Sequence, residues 1–176
     1  MESEGKGRDR HFGFLTLVEL YLVAQLRQRG VSMAAIRAAR EELSHRYKTD
    51  HPFALGGLLS SGKLLLHELG DGVLLELGTK GQTAFERILQ PFCDRLEFDK
   101  ATTLARRFFP MGRDCPVVVD PRHAFGRPAI EGTNVTTEAI MSLVRGGETV
   151  EDIADSLDIT PEAVKAAKAF ELSKAA

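Results

Sequence analysis

Apolar residues near the start of the chain recur at the intervals of an amphipathic helix. The residues that carry this pattern are Phe14, Leu15, Leu17, Val18, Tyr21, Leu22 and Leu26. Gly30 follows them at the position where a residue in the left-handed conformation commonly ends a helix. The pattern therefore predicts a first helix that ends just before Gly30.

A second helix is predicted directly after this stop, over residues 33–47. Ser32 is a favoured N-cap residue, and Val31 and Ile36 stand at the N′ and N4 positions, where apolar side chains pack as a hydrophobic staple. Residues 49–52, with the sequence Thr-Asp-His-Pro, are expected to end the helix. Its inner stripe is predicted to be Ile36, Ala39 and Leu43, so the two helices are expected to pack as an antiparallel pair.

Short apolar runs flank a glycine-rich turn in the middle of the chain. The runs are residues 63–69 and 73–77, and Gly70-Asp71-Gly72 stands between them. This arrangement is typical of a β-hairpin, and residues 78–81 predict a second turn after it.

The next segment combines a capped helix with two strands. Thr83 and Glu86 have the spacing of a capping box, which predicts a helix that Pro91 breaks or kinks. Residues 94–99 and 104–109 are predicted strands.

The turn-rich residues 110–116 are the predicted boundary between two parts of the chain. We expect a disordered arm over residues 1–11, a region of helices and β-hairpins over 12–113, and a separate unit over 114–176. The predicted fold class is α+β, with an N-terminal helical pair and β-hairpins followed by a C-terminal three-helix helix-turn-helix domain.

The last third begins with a predicted strand at residues 117–119 and a loop rich in turn residues, which are Asp120, Pro121, Gly126, Pro128 and Gly132. Three helices are predicted to follow, capped by Thr136 or Thr137, by Thr149 and by Thr160. Gly146-Gly147 ends the first of them. Asp152 completes a capping box with Thr149, and Pro161 occupies the first helical position, where its missing N–H costs nothing.

Residues 149–170 have the spacing of a helix-turn-helix. Such a unit needs a small residue where the helices cross, a sharp turn about four residues later and an apolar residue in the second helix. Ala154, Asp158 and Val164 occupy these places. Asp158 tolerates the left-handed backbone that the turn requires. A helical hairpin without a DNA function has the same spacing, so both interpretations stay open.

Charge in the last third is divided between an acidic helical segment and an arginine-rich segment ahead of it. The acidic residues, which would repel DNA, are Glu148, Glu151, Asp152, Asp155, Asp158 and Glu162. Only the later turns of the last helix could therefore approach phosphates, and the candidates there are Lys165, Lys168 and Lys174. Ordinary solvated surface lysines show the same pattern.

Five arginines stand between Ala105 and residue 127, against only Asp114 and Asp120, a local balance of +3. They are Arg106, Arg107, Arg113, Arg122 and Arg127. Arginine suits planar contacts to carboxylates or phosphates. An acidic partner or DNA could use this patch, and a plain solvated surface is the alternative.

Composition narrows the function classes. The chain of 176 residues has 43% apolar and 27% charged residues and a net charge of −2, so any contact with nucleic acid requires a local patch. No apolar run approaches the ~20 residues of a membrane-spanning helix, and the start of the chain has no apolar signal-peptide core. We expect a cytoplasmic protein with no membrane partner.

Catalytic and metal-binding patterns are absent from the sequence. The five histidines are scattered singly, and Cys93 and Cys115 have no histidine near them in sequence. Nucleophile-elbow, zinc-protease, phosphate-loop and dinucleotide-binding motifs do not occur. We therefore expect no enzyme activity, and no catalytic, cofactor-binding or metal-binding residues.

Residues 117–170 resemble the family called domain of unknown function 433. The elements that carry the resemblance are Val119-Asp120-Pro121-Arg122, Gly126-Arg127-Pro128-Ala129-Ile130, Gly132-Thr133, Gly146-Gly147-Glu148-Thr149, Ile153-Ala154 and Thr160-Pro161-Glu162. Members of this family are small helix-turn-helix domains. Many of them resemble antitoxins paired with a ribonuclease toxin of the PIN fold.

Residues 15–52 resemble the helices that follow the DNA-reading element of MerR-like proteins, through Leu17-Val18-Glu19-Leu20 and Leu26-Arg27-Gln28-Arg29-Gly30-Val31-Ser32. Longer relatives with this two-part layout resemble VapB-type antitoxins. Such relatives carry an N-terminal helix-turn-helix, whereas residues 1–10 stand in its place here.

The resemblance implies an antitoxin that binds and inhibits a PIN-domain (VapC-like) ribonuclease toxin and autoregulates its operon by binding operator DNA. It would act as a homodimer or in a toxin–antitoxin hetero-oligomer. The candidates for contacting the toxin's carboxylates are the five arginines or the basic residues Lys6, Arg8 and Arg10 of the arm. The alternatives are a stand-alone helix-turn-helix transcription regulator and an interaction module without DNA binding.

Overall fold

The computed structural model describes residues 3–4, 11–59, 65 and 67–174. The chain divides into two compact units, Met1–Ala105 and Arg106–Ala176. This division falls ahead of the turn-rich residues 110–116. Both units combine helices with strands, which confirms the α+β fold class.

The first unit contains the predicted pair of helices, α1 (Phe14–Gln28) and α2 (Met33–Tyr47). Gly30 ends the first of them with φ +87°, and the Ser32 hydroxyl caps the second by accepting a hydrogen bond from the Ala35 N–H at 3.1 Å. The buried residues of α2 are the predicted inner stripe, Ile36, Ala39 and Leu43. Both helix predictions are confirmed.

The predicted β-hairpin over residues 63–77 is wrong. Residues 73–77 lie in a helix, α4 (Gly70–Cys93), and those residues of the first predicted strand that the structure describes are helical at Leu65, His67 and Glu68. The buried positions explain the difference, because they recur every fourth residue, as on one side of a helix: Leu65, Leu69, Val73, Leu77, Phe85, Leu89 and Cys93.

The predicted N-cap at Thr83 is also wrong, because Thr83 lies inside α4 and its hydroxyl donates to the Thr79 carbonyl at 3.2 Å. The predicted second turn is reduced to a kink at Gly78, whose φ of 61° and ψ of 171° belong to a region that essentially only glycine adopts. The helix continues two residues beyond Pro91 and ends at Cys93.

The described part of the first unit also contains three short strands, a 3-10 helical turn (Pro52–Ala54) and a short α-helix. β1 (Ser3–Glu4) pairs antiparallel with β2 (His11–Phe12). The rest of the predicted arm, including Lys6, Arg8 and Arg10, lies outside the described residues. α3 (Gly56–Leu59) precedes α4, and β3 (Leu96–Phe98) confirms the strand predicted over residues 94–99.

A buried carboxylate ties the helices of the first unit together. Glu19 on α1 is 1% exposed. Its Oε2 lies 3.5 Å from the Arg40 Nη2 on α2 and 3.2 Å from the His51 Nδ1, and its Oε1 accepts the Phe53 N–H at 3.3 Å. The carboxylate therefore joins α1, α2 and the turn that follows α2.

The second unit begins with an antiparallel sheet in the order β4-β5-β6, made of β4 (Ala105–Phe108), β5 (Val117–Val119) and β6 (Pro128–Ile130). Phe108 lies opposite Val119, and Val118 lies opposite Ala129. The strands predicted over residues 104–109 and 117–119 are confirmed. β6 is a strand where we expected a loop. The expectation rested on turn residues that include Pro128, but a strand tolerates proline as its first residue.

Three helices follow the sheet, as predicted: α5 (Thr137–Arg145), α6 (Val150–Leu157) and α7 (Pro161–Ser173). The hydroxyls of Thr136, Thr149 and Thr160 each accept a backbone N–H three residues later, which confirms all three caps. Asp158 adopts the left-handed conformation (φ 52°, ψ 48°) between α6 and α7. Ile140, Ile153, Val164 and Phe170 pack with Val117 and Ile130 in one core.

Candidate arginine-lined binding site

The sheet of the second unit borders a cavity of about 190 Å³ that is rich in arginine. Its charged and polar lining residues are Arg106, Arg107, Asp120, His123, Arg127, Glu131 and Thr133. β4 supplies the first two, and the loops before and after β6 supply most of the others. Three of the five arginines selected from the sequence therefore meet in one place.

Among the described residues, Arg106 and Arg127 are unpaired in the cavity, whereas Arg107 is paired. Arg107 Nη1 lies 2.7 Å from Glu131 Oε1, and its guanidinium carbon lies 5.2 Å from the centre of the Phe109 ring. In the described part of the chain, the guanidinium groups of Arg106 and Arg127 form no hydrogen bond or ion pair, and the Arg106 Nε is buried. A buried donor without a partner costs about 1–3 kcal/mol, so an oxyanion that accepted its hydrogen would be favoured here.

Asp120 is a buried residue in the lining of the cavity. Its Oδ1 accepts the Arg122 backbone N–H at 2.9 Å, and its carboxylate also lies 3.4 Å from Arg122 Nε and 3.3 Å from His123 Nδ1. Burial by itself raises the pKa of the Asp120 carboxyl, but the hydrogen bonds from Arg122 and His123 outweigh it and hold the pKa below its usual value. The carboxylate is thus kept ionised and fixes the start of the loop.

The loop between β5 and β6 contains a left-handed turn. Ala124, Phe125 and Gly126 have φ angles of +47°, +55° and +73°. The first two are not glycines, and left-handed backbone costs them about 1–2 kcal/mol each. Hydrogen bonds hold the turn, because Gly126 N–H donates to the His123 carbonyl at 2.9 Å and Ala124 N–H donates to the Asn134 side chain at 3.3 Å. The Phe125 side chain is consequently 99% exposed.

A second, wider depression of about 720 Å³ lies along this loop. Arg122, Phe125, Arg127, Asn134 and Thr136 are among the residues that line it. Arg127 lines both concavities. Arg113 lines neither concavity, and its guanidinium carbon lies 5.8 Å from the centre of the Phe109 ring.

The lysine candidates on α7 differ from one another. Lys165 and Lys168 are exposed and, among the described residues, form no ion pair. Lys174 lies 3.0 Å from Glu171 Oε2 and 5.3 Å from the centre of the Phe170 ring. The acidic residues predicted to repel DNA are all exposed as well, namely Glu148, Glu151, Asp152, Asp155, Asp158 and Glu162.

The described residues contain no arranged metal site, and the buried Cys93 thiol is not set up for reaction. No group of three or more histidine, cysteine, aspartate or glutamate side chains there is placed to hold a metal ion. Burial, helped by Asp94, raises the pKa of the Cys93 thiol to about 12, which keeps it protonated and unreactive at neutral pH. The same residues include no helix with the length and apolar character needed to span a membrane.

Sequence reasoning missed several residues of this site. Phe125, His123, Glu131 and Asn134 were not among the candidates, although they lie against the selected arginines in the structure. A lone aromatic residue before a glycine, in a loop with no apolar period, was the one available signal for Phe125.

Comparison with known proteins links this site to a family. Residues 117–170 match the family described as Protein of unknown function (DUF433). The resemblance stated from the sequence is thereby confirmed for that segment. The DUF433 segment runs from β5 into α7, so it includes Asp120, Phe125 and Arg127 and leaves out Arg106 and Arg107.

Over most of its length the chain is also similar to proteins of Mycobacterium tuberculosis. It is 25% identical over 170 residues, 90% of this chain and 71% of the other protein, to one named "Putative antitoxin VapB45". A solved structure, the X-ray crystal structure of Rv2018, matches with a TM-score of 0.67 and 22% identity, covering 94% of this chain and 83% of that chain. This second likeness shows the fold.

Proposed function

We propose that the protein is the antitoxin of a toxin–antitoxin pair and that it binds and inhibits a PIN-domain ribonuclease toxin. The observation that carries the proposal is the similarity, along 90% of the chain, to the mycobacterial protein named as an antitoxin. The arginine-lined cavity supplies a physical means of binding an acidic partner.

The unpaired guanidinium groups suit this role. A toxin carboxylate that reached Arg106 or Arg127 would form charge-assisted hydrogen bonds, about twice as strong as those between neutral groups. The resemblance implies a toxin whose metal is held by several carboxylates. An arginine that engages them competes with that metal, and the ribonuclease would lose activity.

Co-expression with the neighbouring ribonuclease gene tests the proposal. We expect the two proteins to co-purify and the growth defect caused by the ribonuclease to disappear. The proposal is wrong if excess wild-type protein neither binds the ribonuclease nor lowers its activity on RNA. Operator binding by a protein that does not bind the ribonuclease would instead support the stand-alone regulator.

We also propose that autoregulation, in a dimer, uses Lys165 and Lys168 for phosphate contacts. Their exposure and their lack of an ion pair among the described residues support this choice. Two contacts in each of two chains predict a slope of about −3.6 for log K against log salt concentration. Lys165→Gln should make this slope less negative. Lys174→Gln is the matched control, because Lys174 is paired with Glu171, and should leave the slope unchanged.

The exposed acidic residues favour a second candidate function, an interaction module that binds the toxin without DNA. Phosphates would be repelled by that surface. Absence of operator binding at low salt, with toxin present, supports this candidate and removes the autoregulatory role.

A further inference from the structure

Phe125 is the most exposed large apolar side chain in the part of the chain that the structure describes. Its exposure is 99%, compared with 86% for Leu75 and 56% for Leu17. Water around an aromatic ring is unfavourable, and such a ring contributes strongly to binding when a partner covers it. A ring this exposed is available for a contact outside this chain, and the backbone and the charges around it distinguish it from Leu75.

The backbone holds this side chain in solvent against its own preference. Ala124 and Phe125 both adopt the left-handed conformation, which residues other than glycine rarely enter. Local hydrogen bonds hold the turn in place, including Arg127 N–H to the Ala124 carbonyl at 3.0 Å and Gly126 N–H to the His123 carbonyl at 2.9 Å. Strained residues of this kind concentrate at ligand-binding sites.

The surroundings of Phe125 identify the charge of its partner. The depression beside it is lined by Pro121, Arg122, Ala124, Phe125, Arg127, Asn134 and Thr136, so that both charged residues in the lining are arginines. Arg122 is 53% exposed although it contacts Asp120, and Arg127 is exposed too. Charge complementarity thus calls for an acidic partner.

A protein fits these observations better than a nucleic acid. Aromatic and arginine residues together are the side chains that most often dominate the energy of protein–protein interfaces. Proteins that bind single-stranded nucleic acids stack successive bases on a series of aromatic side chains, whereas Phe125 is the one aromatic residue, among those described, that lines this depression. The carboxylates of a folded protein can pair with Arg122 and Arg127 while an apolar pocket covers the ring.

We propose that Phe125 is the apolar anchor of this interface. Its ring enters an apolar pocket of the toxin, and carboxylates at the rim of that pocket pair with Arg122 and Arg127. The inference rests on the proposed antitoxin function and adds to it the contact residue and the chemistry of the surface that receives it.

Titration calorimetry with the purified ribonuclease from the neighbouring gene tests the anchor, using the full chain. Phe125→Ala should weaken binding about 30-fold, since a central aromatic anchor typically contributes that much. Phe125→Leu should lie between wild type and Phe125→Ala, because it keeps part of the apolar contact. Leu75→Ala is the matched control, since Leu75 is another exposed apolar residue, and should bind as wild type does.

The outcomes separate the two proposals. If Phe125→Ala binds as wild type while Arg127→Glu binds weakly, the anchor is wrong and the antitoxin function stands. If the wild-type protein does not bind the ribonuclease, both are wrong. Loss of self-association or of DNA binding in Phe125→Ala, with toxin affinity unchanged, would also overturn the anchor. Unchanged thermal unfolding of Phe125→Ala shows that the variant is folded.

Discussion

Both units bury one carboxylate beside an arginine and a histidine, but they build the cluster differently. In the first unit Glu19 reaches Arg40 and His51, which are 21 and 32 positions away in sequence. In the second unit Asp120 reaches Arg122 and His123, only two and three positions away. The same three kinds of group are therefore far apart in sequence in the first unit and close together in sequence in the second.

The separation in sequence determines what each cluster does. Glu19 joins two helices and a turn, and the side chains of Arg40 and His51 are only 31% and 30% exposed. Asp120 shapes a single loop, and the side chains of Arg122 and His123 are 53% and 51% exposed. The first cluster stabilises the fold, whereas the second leaves its arginine and histidine side chains available for a partner.

The largest expected effect is the loss of stability on removing Glu19. Glu19→Ala should lower the free energy of unfolding of the first unit by about 3 kcal/mol, because a buried N–H and two polar partners lose their acceptor. Amide hydrogen exchange of buried residues on α1 measures it. The exposed Glu41 provides the control, Glu41→Ala, which should have little effect. Equal protection in both variants would contradict the structural role of Glu19.

Charge reversal at Arg127, which lines both concavities beside the second cluster, should reduce affinity for the toxin and leave stability nearly unchanged. Arg127→Glu should weaken binding at least tenfold, about 1.4 kcal/mol, because it places a negative charge against the partner's carboxylates. Arg113→Glu is the matched control, since Arg113 lines neither concavity. Equal affinities for the two variants would show that the cavity is not the contact surface.

Relief of the left-handed turn should stabilise the second unit while it weakens binding. Phe125→Gly is expected to raise the free energy of unfolding by about 1 kcal/mol, because glycine adopts positive φ without the penalty that phenylalanine carries. Chemical denaturation monitored by exchange in the second unit measures the gain. A variant that is less stable than wild type would refute the strain at Phe125.

The smallest effect concerns the pH dependence of the Asp120 loop. The pKa of Asp120 is lower in the folded protein than its ordinary 3.8, so its ionised form stabilises the folded loop above that pH. This contribution is lost as the pH falls through the folded pKa. Comparison of wild type with Asp120→Asn should therefore show a stability difference at pH 6 that shrinks in acid. A difference that is constant with pH would contradict it.

Local features of the fold were predictable, because their determinants lie within a few residues. The caps at Ser32, Thr136, Thr149 and Thr160 each join residues three apart and are all confirmed. The helix in the middle of the chain, Gly70–Cys93, was predicted only in its second half, from Thr83 to Pro91. Its buried residues recur every fourth position, but Gly70, Gly72, Gly78 and Gly81 interrupt the pattern and favoured turns.

The sequence predicted the chemistry of the candidate site, but not which residues line it. The excess of arginine over residues 105–127 was evident from the sequence. Pairing of β5 with its neighbours β4 and β6 decides which of these arginines line the cavity, and it adds Glu131 as a partner for Arg107. Arg113, on the connection between β4 and β5, lies outside it.

The amino-acid sequence alone determined the caps at Ser32, Thr136, Thr149 and Thr160, the strands β3, β4 and β5, the DUF433 resemblance and the concentration of arginines. Tertiary structure decided the burial of Glu19, the lining of the cavity and the exposure of Phe125. The physical reason is range, because a cap or a turn depends on neighbouring residues. The burial of Glu19 and the lining of the cavity depend on contacts that exist only after distant segments have packed. The exposure of Phe125 depends on the local turn and on the Asn134 side chain, ten residues from Ala124.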